Sequence, residues 1–220
     1  MVSTLSEERF PIKRNVGFLS PDSRDTDAGI LNLRDNTDVR VVYPYDDLID
    51  MKQSLGNVVL YHKTDTHWNE LGGYIGVRKL LEELDIEIPN ILGSEVELEE
   101  KKSNQSDLAD MLNLGDYLDI GVEYSVVGYA KIENLELVKD EFFGEIIYRN
   151  KNSNAKKLLV CRDSFGTAMT RILASQFNES VFLHRNSYVE SESIKEHNLD
   201  IVVYEVVERY IGELLNFKYE

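Results

Sequence analysis

The chain contains little cysteine and no long hydrophobic run. Cys161 is the one cysteine among 220 residues, so an internal disulfide is excluded. No stretch approaches the roughly eighteen uninterrupted apolar residues that a membrane-spanning helix requires. The first residues, MVSTLSEERFPIKRNVGF, contain no apolar segment of the kind found in secretory signals. The sequence therefore predicts neither a membrane span nor a signal peptide in this chain.

Positive charge is scarce as well. The chain has 24 lysines and arginines against 40 aspartates and glutamates, which gives a formal net charge of −16 at pH 7. Such a surface repels phosphate backbones and anionic membranes, so we expect no nucleic-acid partner. The proportions of hydrophobic and charged residues, 42% and 29%, are those of an ordinary globular protein. The length is sufficient for one α/β domain with a buried core.

The chain divides into a polar lead-in and a longer part with alternating patterns. Residues 1–30 are polar and rich in turn formers, which predicts an irregular lead-in or the remnant of a longer N-terminal part. After them, hydrophobic spacing predicts two strands and two helices: 39–43 and 58–61, and 45–54 and 69–84. Asn69 is the predicted N-cap of the second helix.

The C-terminal half has the most regular pattern. Three apolar runs without alternation are typical of parallel strands that are covered on both faces: 158–161, 181–184 and 201–204. Helical patterns follow these runs: 165–177, 188–196 and 206–215. The less regular middle contains a short predicted helix and two strand-like stretches: 106–112, 117–132 and 145–148. The series predicts an α/β fold with a mostly parallel sheet and helices on both faces.

The segment LLVCRDSFGTAM, residues 158–169, contains a serine at a position that favours chemistry. The predicted strand ends at Cys161, and a helix begins near Phe165 or Gly166. Ser164 therefore lies beyond the carboxyl end of a parallel strand, where open α/β sheets bind their ligands. The free N–H groups of the following helix can stabilise an oxyanion. The alternative is that Ser164 only caps this helix.

A second candidate loop, residues 64–69, follows the predicted strand at 58–61 and precedes a helix. Side chains two apart in an extended stretch point the same way, so Asp65 and His67 can lie side by side. Asp65 can then orient the His67 ring and leave its other nitrogen to deprotonate a serine. The alternative of a metal site formed by Asp65, His67 and Asp163 lacks a cysteine or histidine cluster with ligand spacing. We therefore predict a Ser–His–Asp site and no metal or other cofactor.

Three neighbouring residues are candidates for substrate binding. Trp68 could stack on a sugar ring, or it could be a packed aromatic residue. Asn69 could contact substrate, or it could only cap the helix. Arg162 could bind substrate or pair with an acidic neighbour. Asp163, beside the serine, is expected to hold the turn rather than to take part in chemistry.

Four segments resemble the motifs of one protein family, in the same order: YHKTDTHWNELGGYIGVRKLL (61–81), QSDLADMLNLG (105–115), KKLLVCRDSFGTAM (156–169) and DIVVYEVVERYIGELL (200–215). They resemble the alginate O-acetyltransferase AlgJ/AlgX family. Its members are SGNH-hydrolase-like proteins of the DHHW type that acetylate exopolysaccharides.

The resemblance implies a role for each of three residues. By their positions in the matching motifs, Ser164 is the nucleophile, His67 is the general base and Asp65 orients His67. The implied fold is an SGNH-hydrolase-like, flavodoxin-like domain over residues 31–220, in which the catalytic motifs have a circularly permuted order. Family members carry a longer segment before the Asp–His loop, so this domain could lack an N-terminal strand and helix.

The resemblance also implies a function. The expected enzyme is an O-acetyltransferase that moves an acetyl group through an acetyl-serine to hydroxyls of an exopolysaccharide or cell-surface glycan. Its partners would be the glycan acceptor and a membrane-bound O-acyltransferase as the acetyl donor, in the periplasm or at the cell surface. One alternative is a carbohydrate esterase that uses the same triad. Another is an inactive glycan-binding subunit of a polysaccharide-modification complex.

Overall fold

The computed structural model describes the backbone of Arg14–Ser20 and the residues 39–151, 154–185 and 199–210. These residues form nine strands: β1 Arg14–Ser20, β2 Arg40–Val42, β3 Glu97–Lys102, β4 Val122–Val127, β5 Glu136–Asp140, β6 Glu145–Arg149, β7 Asn154–Arg162, β8 Phe177–His184 and β9 Ile201–Val207. They also form five α-helices: α1 Tyr45–Leu55, α2 Glu70–Glu82, α3 Asp107–Met111, α4 Ala130–Glu133 and α5 Thr170–Ala174. Two 3₁₀-helices span Phe165–Met169 and Glu208–Tyr210.

Seven of the strands form one mixed sheet in the order β2-β1-β9-β7-β8-β6-β5. The five strands from β2 to β8 in this order are mutually parallel. β6 runs antiparallel to β8, and β5 runs antiparallel to β6. β3 and β4 form a separate antiparallel pair. The prediction of a mostly parallel α/β sheet is therefore confirmed.

The central strands are apolar on both faces because each face contributes to a different hydrophobic cluster. Leu158 and Val160 of β7 belong to a large cluster that includes apolar side chains of α1, α2, α5 and the first 3₁₀-helix. Leu159 and Cys161, which point the other way, belong to a smaller cluster with Val181, Leu183 and other residues of the sheet. Cys161 is buried, as expected for an inert thiol, and burial raises its pKa to about 12.

The described helices α1, α2, α4 and α5 contribute to the hydrophobic cluster on one face of the sheet. The second cluster contains no residue of these helices, and the helical pattern predicted at 188–196 lies outside the described residues, as does 211–215. Helices on both faces therefore stay a prediction. None of the described helices has the length and apolar character needed to cross a bilayer.

Two predicted features of the N-terminal half are wrong. Residues 1–30 are not wholly irregular, because β1 lies within them and pairs along its whole length with β9 and also with β2. Residues 58–61 do not form a strand of the sheet, and only an isolated antiparallel bridge joins Tyr61 to Trp68. The carbonyls of Val59 and Leu60 instead accept hydrogen bonds from Asn69, at 2.7 Å from its side chain and 2.9 Å from its backbone. This run therefore closes a loop on itself.

The remaining boundaries differ by a few residues. The helices predicted at 45–54, 69–84 and 106–112 are confirmed as α1, α2 and α3. The helical pattern at 165–177 is split into the 3₁₀-helix, α5 and the start of β8. The predicted helix at 206–215 begins too early, because Val206 and Val207 are the last residues of β9.

Candidate active site

The loop that contains Asp65 and His67 is tied together at its base. The backbone N–H of His62 donates to the His67 carbonyl at 3.1 Å, and that of Asn69 donates to the Leu60 carbonyl at 2.9 Å. The Asn69 side chain accepts from Gly72 N–H at 3.0 Å and so caps α2, as predicted. The loop therefore enters α2 in a fixed direction.

The structure brings Asp65, His67 and Ser164 together. Asp65 Oδ1 lies 2.6 Å from His67 Nδ1, and His67 Nε2 lies 2.8 Å from Ser164 Oγ. Asp65 is buried, whereas His67 and Ser164 are half-buried. If His67 Nδ1 donates to Asp65, the lone pair of Nε2 faces the serine hydroxyl. This geometry suits deprotonation of Ser164 by His67.

Asp65 is kept ionised by hydrogen bonds. Burial by itself would raise the pKa of Asp65. The backbone N–H groups of His67 and Asp107, at 2.8 Å and 3.0 Å, and the His67 ring outweigh that effect, so the pKa lies below its ordinary value. A carboxylate in this state can hold the His67 tautomer across the neutral range.

The turn before Ser164 is held by Asp163. Asp163 Oδ1 accepts from Phe165 N–H at 2.8 Å, and Oδ2 accepts from Val207 N–H at 2.7 Å. Its backbone N–H donates to Glu205 Oε2 at 3.0 Å. A Cβ at Gly166 would lie 2.6 Å from the same Glu205 oxygen, so a larger residue does not fit there. The prediction that Asp163 holds the turn is confirmed.

Asp107 and Glu205 contribute to the site and were not singled out from the sequence. Asp107 accepts from Thr66 N–H at 2.8 Å and from the Thr66 hydroxyl at 2.6 Å. Its Oδ2 also lies 3.7 Å from His67 Nδ1. One sequence feature could have pointed to them: Asp107 and Glu205 both lie in segments that resemble family motifs. Neither spacing nor periodicity brings them to the loops that they contact.

Comparison with known proteins gives matches in structure and none in sequence. No protein-family model matches the chain, and no curated protein matches it significantly. A DHHW family protein from Eubacterium siraeum has a TM-score of 0.72 at 13% identity, covering 95% of this chain and 84% of that one. Bacillus cereus PatB1 with a sulfonyl adduct has a TM-score of 0.59 at 15% identity, covering 94% and 86%. The O-acetyltransferase domain of Pseudomonas putida AlgJ has a TM-score of 0.55 at 14% identity, covering 94% and 80%.

The chain shares their fold. At these identities the likeness concerns the architecture, and at that level it confirms the resemblance to AlgJ that the four motifs indicated. β1 pairs with β9, so the described segment Arg14–Ser20 belongs to the same sheet as β7, which ends just before Ser164.

Within the AlgJ-like fold, the three predicted substrate-binding side chains lie inside the protein. Trp68 is 1% exposed and donates from Nε1 to the Phe165 carbonyl at 2.8 Å, which makes it a packed aromatic residue. Asn69 is 1% exposed and caps α2. The prediction that these side chains contact substrate is corrected, because their polar atoms already have partners within the protein.

Arg162 is also buried, and it links two loops. It is 0% exposed, and its guanidinium donates to the carbonyls of Asp163 and Phe142 at 3.1 Å and 2.9 Å. Burial lowers the pKa of Arg162 from its ordinary value. The Arg162 side chain therefore supports the turn before Ser164 from inside the protein and does not face a substrate.

One group of side chains in the described part of the chain has the spacing of metal ligands. Atoms of Asp65, His67 and Asp107 lie within 4.8 Å of one another. The carboxylate oxygens of both aspartates already accept hydrogen bonds from the loop, and His67 Nε2 faces Ser164. A metal ion bound by Asp65 Oδ1 and His67 Nδ1 would have to replace the 2.6 Å hydrogen bond between them, so the donor set fits a hydrogen-bonded Ser–His–Asp arrangement better than a metal centre.

Proposed function

We propose that this chain is an O-acetyltransferase that carries an acetyl group on Ser164 and passes it to a hydroxyl group of a glycan. The observation that supports this best is the hydrogen-bonded line from Asp65 through His67 to Ser164. Such a line is what nucleophilic catalysis by a serine requires. The fold shared with the O-acetyltransferase domain of AlgJ favours an acetyl group as the cargo.

The proposed reaction has two halves. Ser164 Oγ attacks the carbonyl carbon of the acetyl donor while its proton passes to His67 Nε2, and the leaving group departs with that proton. A sugar hydroxyl then gives its proton to His67 Nε2, and its oxygen attacks the acetyl carbon. The Ser164–acetyl bond breaks and Ser164 regains the proton. Asp65 stays ionised throughout and stabilises the imidazolium that forms in each half.

The negative charge that develops on the acetyl oxygen needs a donor. The N–H of Phe165, the first residue of the 3₁₀-helix, already donates to Asp163. The backbone N–H of Ser164 is therefore the oxyanion donor that we propose.

The partners in this proposal follow from the resemblance to the AlgJ/AlgX family. The acceptor is an exopolysaccharide or a cell-surface glycan, and the acetyl donor is a membrane-bound O-acyltransferase. The reaction then takes place in the periplasm or at the cell surface.

The proposal is tested by acetyl transfer from an aryl acetate to short oligosaccharides. Ser164→Ala and His67→Ala should each lower kcat by at least about a thousandfold, because triad residues act as a unit. Mass spectrometry of the quenched wild-type protein should find an acetyl group on Ser164. Ser54→Ala, an exposed serine on α1, is the matched control and should keep full activity.

Two results would contradict the proposal. If Ser164→Ala kept most of the turnover, Ser164 would not be the nucleophile. If the wild type released acetate but acetylated no oligosaccharide, water would be the acceptor and the protein an esterase with the same site.

A further inference from the structure

The acidic residue at the start of α3 contacts every residue of the Asp65–Thr66–His67 segment. Asp107 accepts two hydrogen bonds from Thr66 through its two carboxylate oxygens. Its backbone N–H donates to Asp65 Oδ2 at 3.0 Å. Its Oδ2 lies 3.7 Å from His67 Nδ1, on the same side of the ring as Asp65. His67 therefore has two carboxylates at one ring nitrogen.

We propose that Asp107 is a positioning residue of the acyl-transfer site and supplies a second negative charge beside the His67 ring. The inference rests on the proposed function, in which the His67 ring takes the Ser164 proton and becomes positively charged. Both carboxylates attract the imidazolium that forms. The charge of Asp107 therefore lowers the energy of a transition state in which this proton has moved to the ring.

The Asp107 side chain is not needed merely to attach α3 to the His67 loop. α3 is already joined to the loop by backbone bonds, because Leu108 and Ala109 donate to the Thr64 carbonyl at 3.1 Å and 3.3 Å. Those bonds do not need the Asp107 charge. The Asp107 carboxylate adds the hydrogen bonds from Thr66 and lies 3.7 Å from His67 Nδ1. This side chain is about one-third exposed.

On its other sides the His67 ring contacts uncharged groups. Ser164 lies at Nε2, and the Phe165 ring packs at 4.6 Å between centroids. Arg209 lies beyond Phe165, with its guanidinium carbon 5.3 Å from the centre of that ring. Removing the charge of Asp107 should therefore weaken stabilisation of the His67 imidazolium while the direct contact of His67 with Asp65 is kept.

The test measures how fast phenylmethanesulfonyl fluoride modifies Ser164, followed by mass spectrometry. This reaction needs the same proton transfer to His67 but no acetyl donor and no glycan. Asp107→Asn keeps the size of the side chain and an oxygen for Thr66, and it removes the charge. We expect the second-order rate of modification to fall about tenfold, and kcat for an aryl acetate to fall equally with KM unchanged. The loss is limited to about this size because solvent screens a partly exposed pair.

The controls separate charge from folding. Asp110→Asn removes the same charge from the same helix, where Asp110 accepts from Ser106 at 2.7 Å, and should leave the rate unchanged. Asp107→Glu restores the charge and should return the rate to within about threefold of the wild type. If Asp107→Asn is too unstable to assay, Asp107→Glu decides the question.

Each outcome has one meaning. A folded Asp107→Asn protein with the wild-type rate, or equal losses in Asp107→Asn and Asp110→Asn, overturns the role of Asp107. A folded Asp107→Glu protein that has lost more than tenfold does so too. If the wild-type protein itself is not modified at Ser164, this inference and the proposed function both fail. If it is modified but acetylates no glycan, only the proposed function fails.

Discussion

His67 lies between a charged group and an aromatic ring. Asp65 Oδ1 holds Nδ1 at 2.6 Å and also accepts the backbone N–H of the same residue at 2.8 Å. The Phe165 ring, 4.6 Å away between centroids, limits rotation of the imidazole. One carboxylate oxygen thus fixes both the backbone and the ring of His67, and Phe165 keeps the ring directed at Ser164.

Replacing Asp65 tests this arrangement. Asp65→Asn should lower kcat for an aryl acetate by about a thousandfold to ten-thousandfold, because an amide favours the wrong tautomer of His67. Steady-state kinetics with circular dichroism as a check on the fold would measure it. A loss smaller than tenfold in a folded protein would show that Asp65 does not set the tautomer.

The same substitution should have a pH-dependent effect on stability. The pKa of Asp65 is lowered in the folded protein from its ordinary value of 3.8, so its ionised form stabilises the fold above that pH. This contribution is lost as the pH falls through the lowered pKa. The difference in free energy of unfolding between wild type and Asp65→Asn, measured with urea, should therefore be constant near neutral pH. It should shrink below about pH 4.

The sequence predicts the roles of residues whose partners lie only a few positions away in the chain. Asp65 and His67 are two positions apart in one loop, Asn69 precedes a helical pattern, and Asp163 adjoins the serine. Asp107 and Glu205 act across about forty positions of the chain, on backbone atoms whose location depends on the finished fold. Periodicity and capping rules carry no information at that range.

At the scale of elements, the distance between the loops of His67 and Ser164 depends on how closely α2 packs against the 3₁₀-helix. α2 begins just after the His67 loop, and the 3₁₀-helix begins just after Ser164. Gly73 lies where the two helices meet, and a Cβ there would be 2.8 Å from the Ala168 carbonyl oxygen and 3.1 Å from its Cβ. The neighbouring atoms belong largely to backbone, so they cannot easily move aside.

Gly73→Ala should therefore push the two loops apart. Overpacking costs typically 1–3 kcal/mol, whereas alanine recovers only about 0.5–1 kcal/mol in a helix, so a net loss of up to about 2.5 kcal/mol is expected. kcat should fall as well, because His67 and Ser164 separate. Thermal unfolding and aryl acetate turnover would measure both effects. Glu82→Ala, at the exposed end of α2, is the control and should change stability by less than about 0.5 kcal/mol. An unchanged Gly73→Ala protein would mean that the helices can slide freely.

The elements that the sequence failed to predict depend on their partners. β1 is a seven-residue segment with a glycine inside a region of turn formers, and its strand conformation follows from pairing with β9 and β2. The run at 58–61 has the composition of a strand, but its carbonyls bond to the end of its own loop. By contrast, β7, β8 and β9 were predicted because burial on both faces requires a continuous apolar run.

At the scale of the whole molecule, the charge of −16 acts on any charged acceptor that approaches. A positive patch near the site could offset this charge, but Lys63, Arg162 and Arg171 do not supply one. Lys63 pairs with Asp119 at 2.8 Å, and Arg171 pairs with Glu70 at 3.2 Å. Arg162 is buried. These three residues therefore give no reason to expect attraction of a polyanion.

We therefore expect neutral or cationic oligosaccharides to be better acceptors than uronate oligosaccharides of the same length. At low ionic strength the difference in acetyl transfer should be about tenfold, because the repulsion acts over the Debye length. At about 0.5 M salt it should become small, since screening then shortens that length to a few ångströms. Release of acetate from a neutral aryl acetate is the control and should not depend on salt. A preference for the uronate acceptor that weakens with salt would show that a basic patch at the site overrides the net charge, and would contradict this prediction.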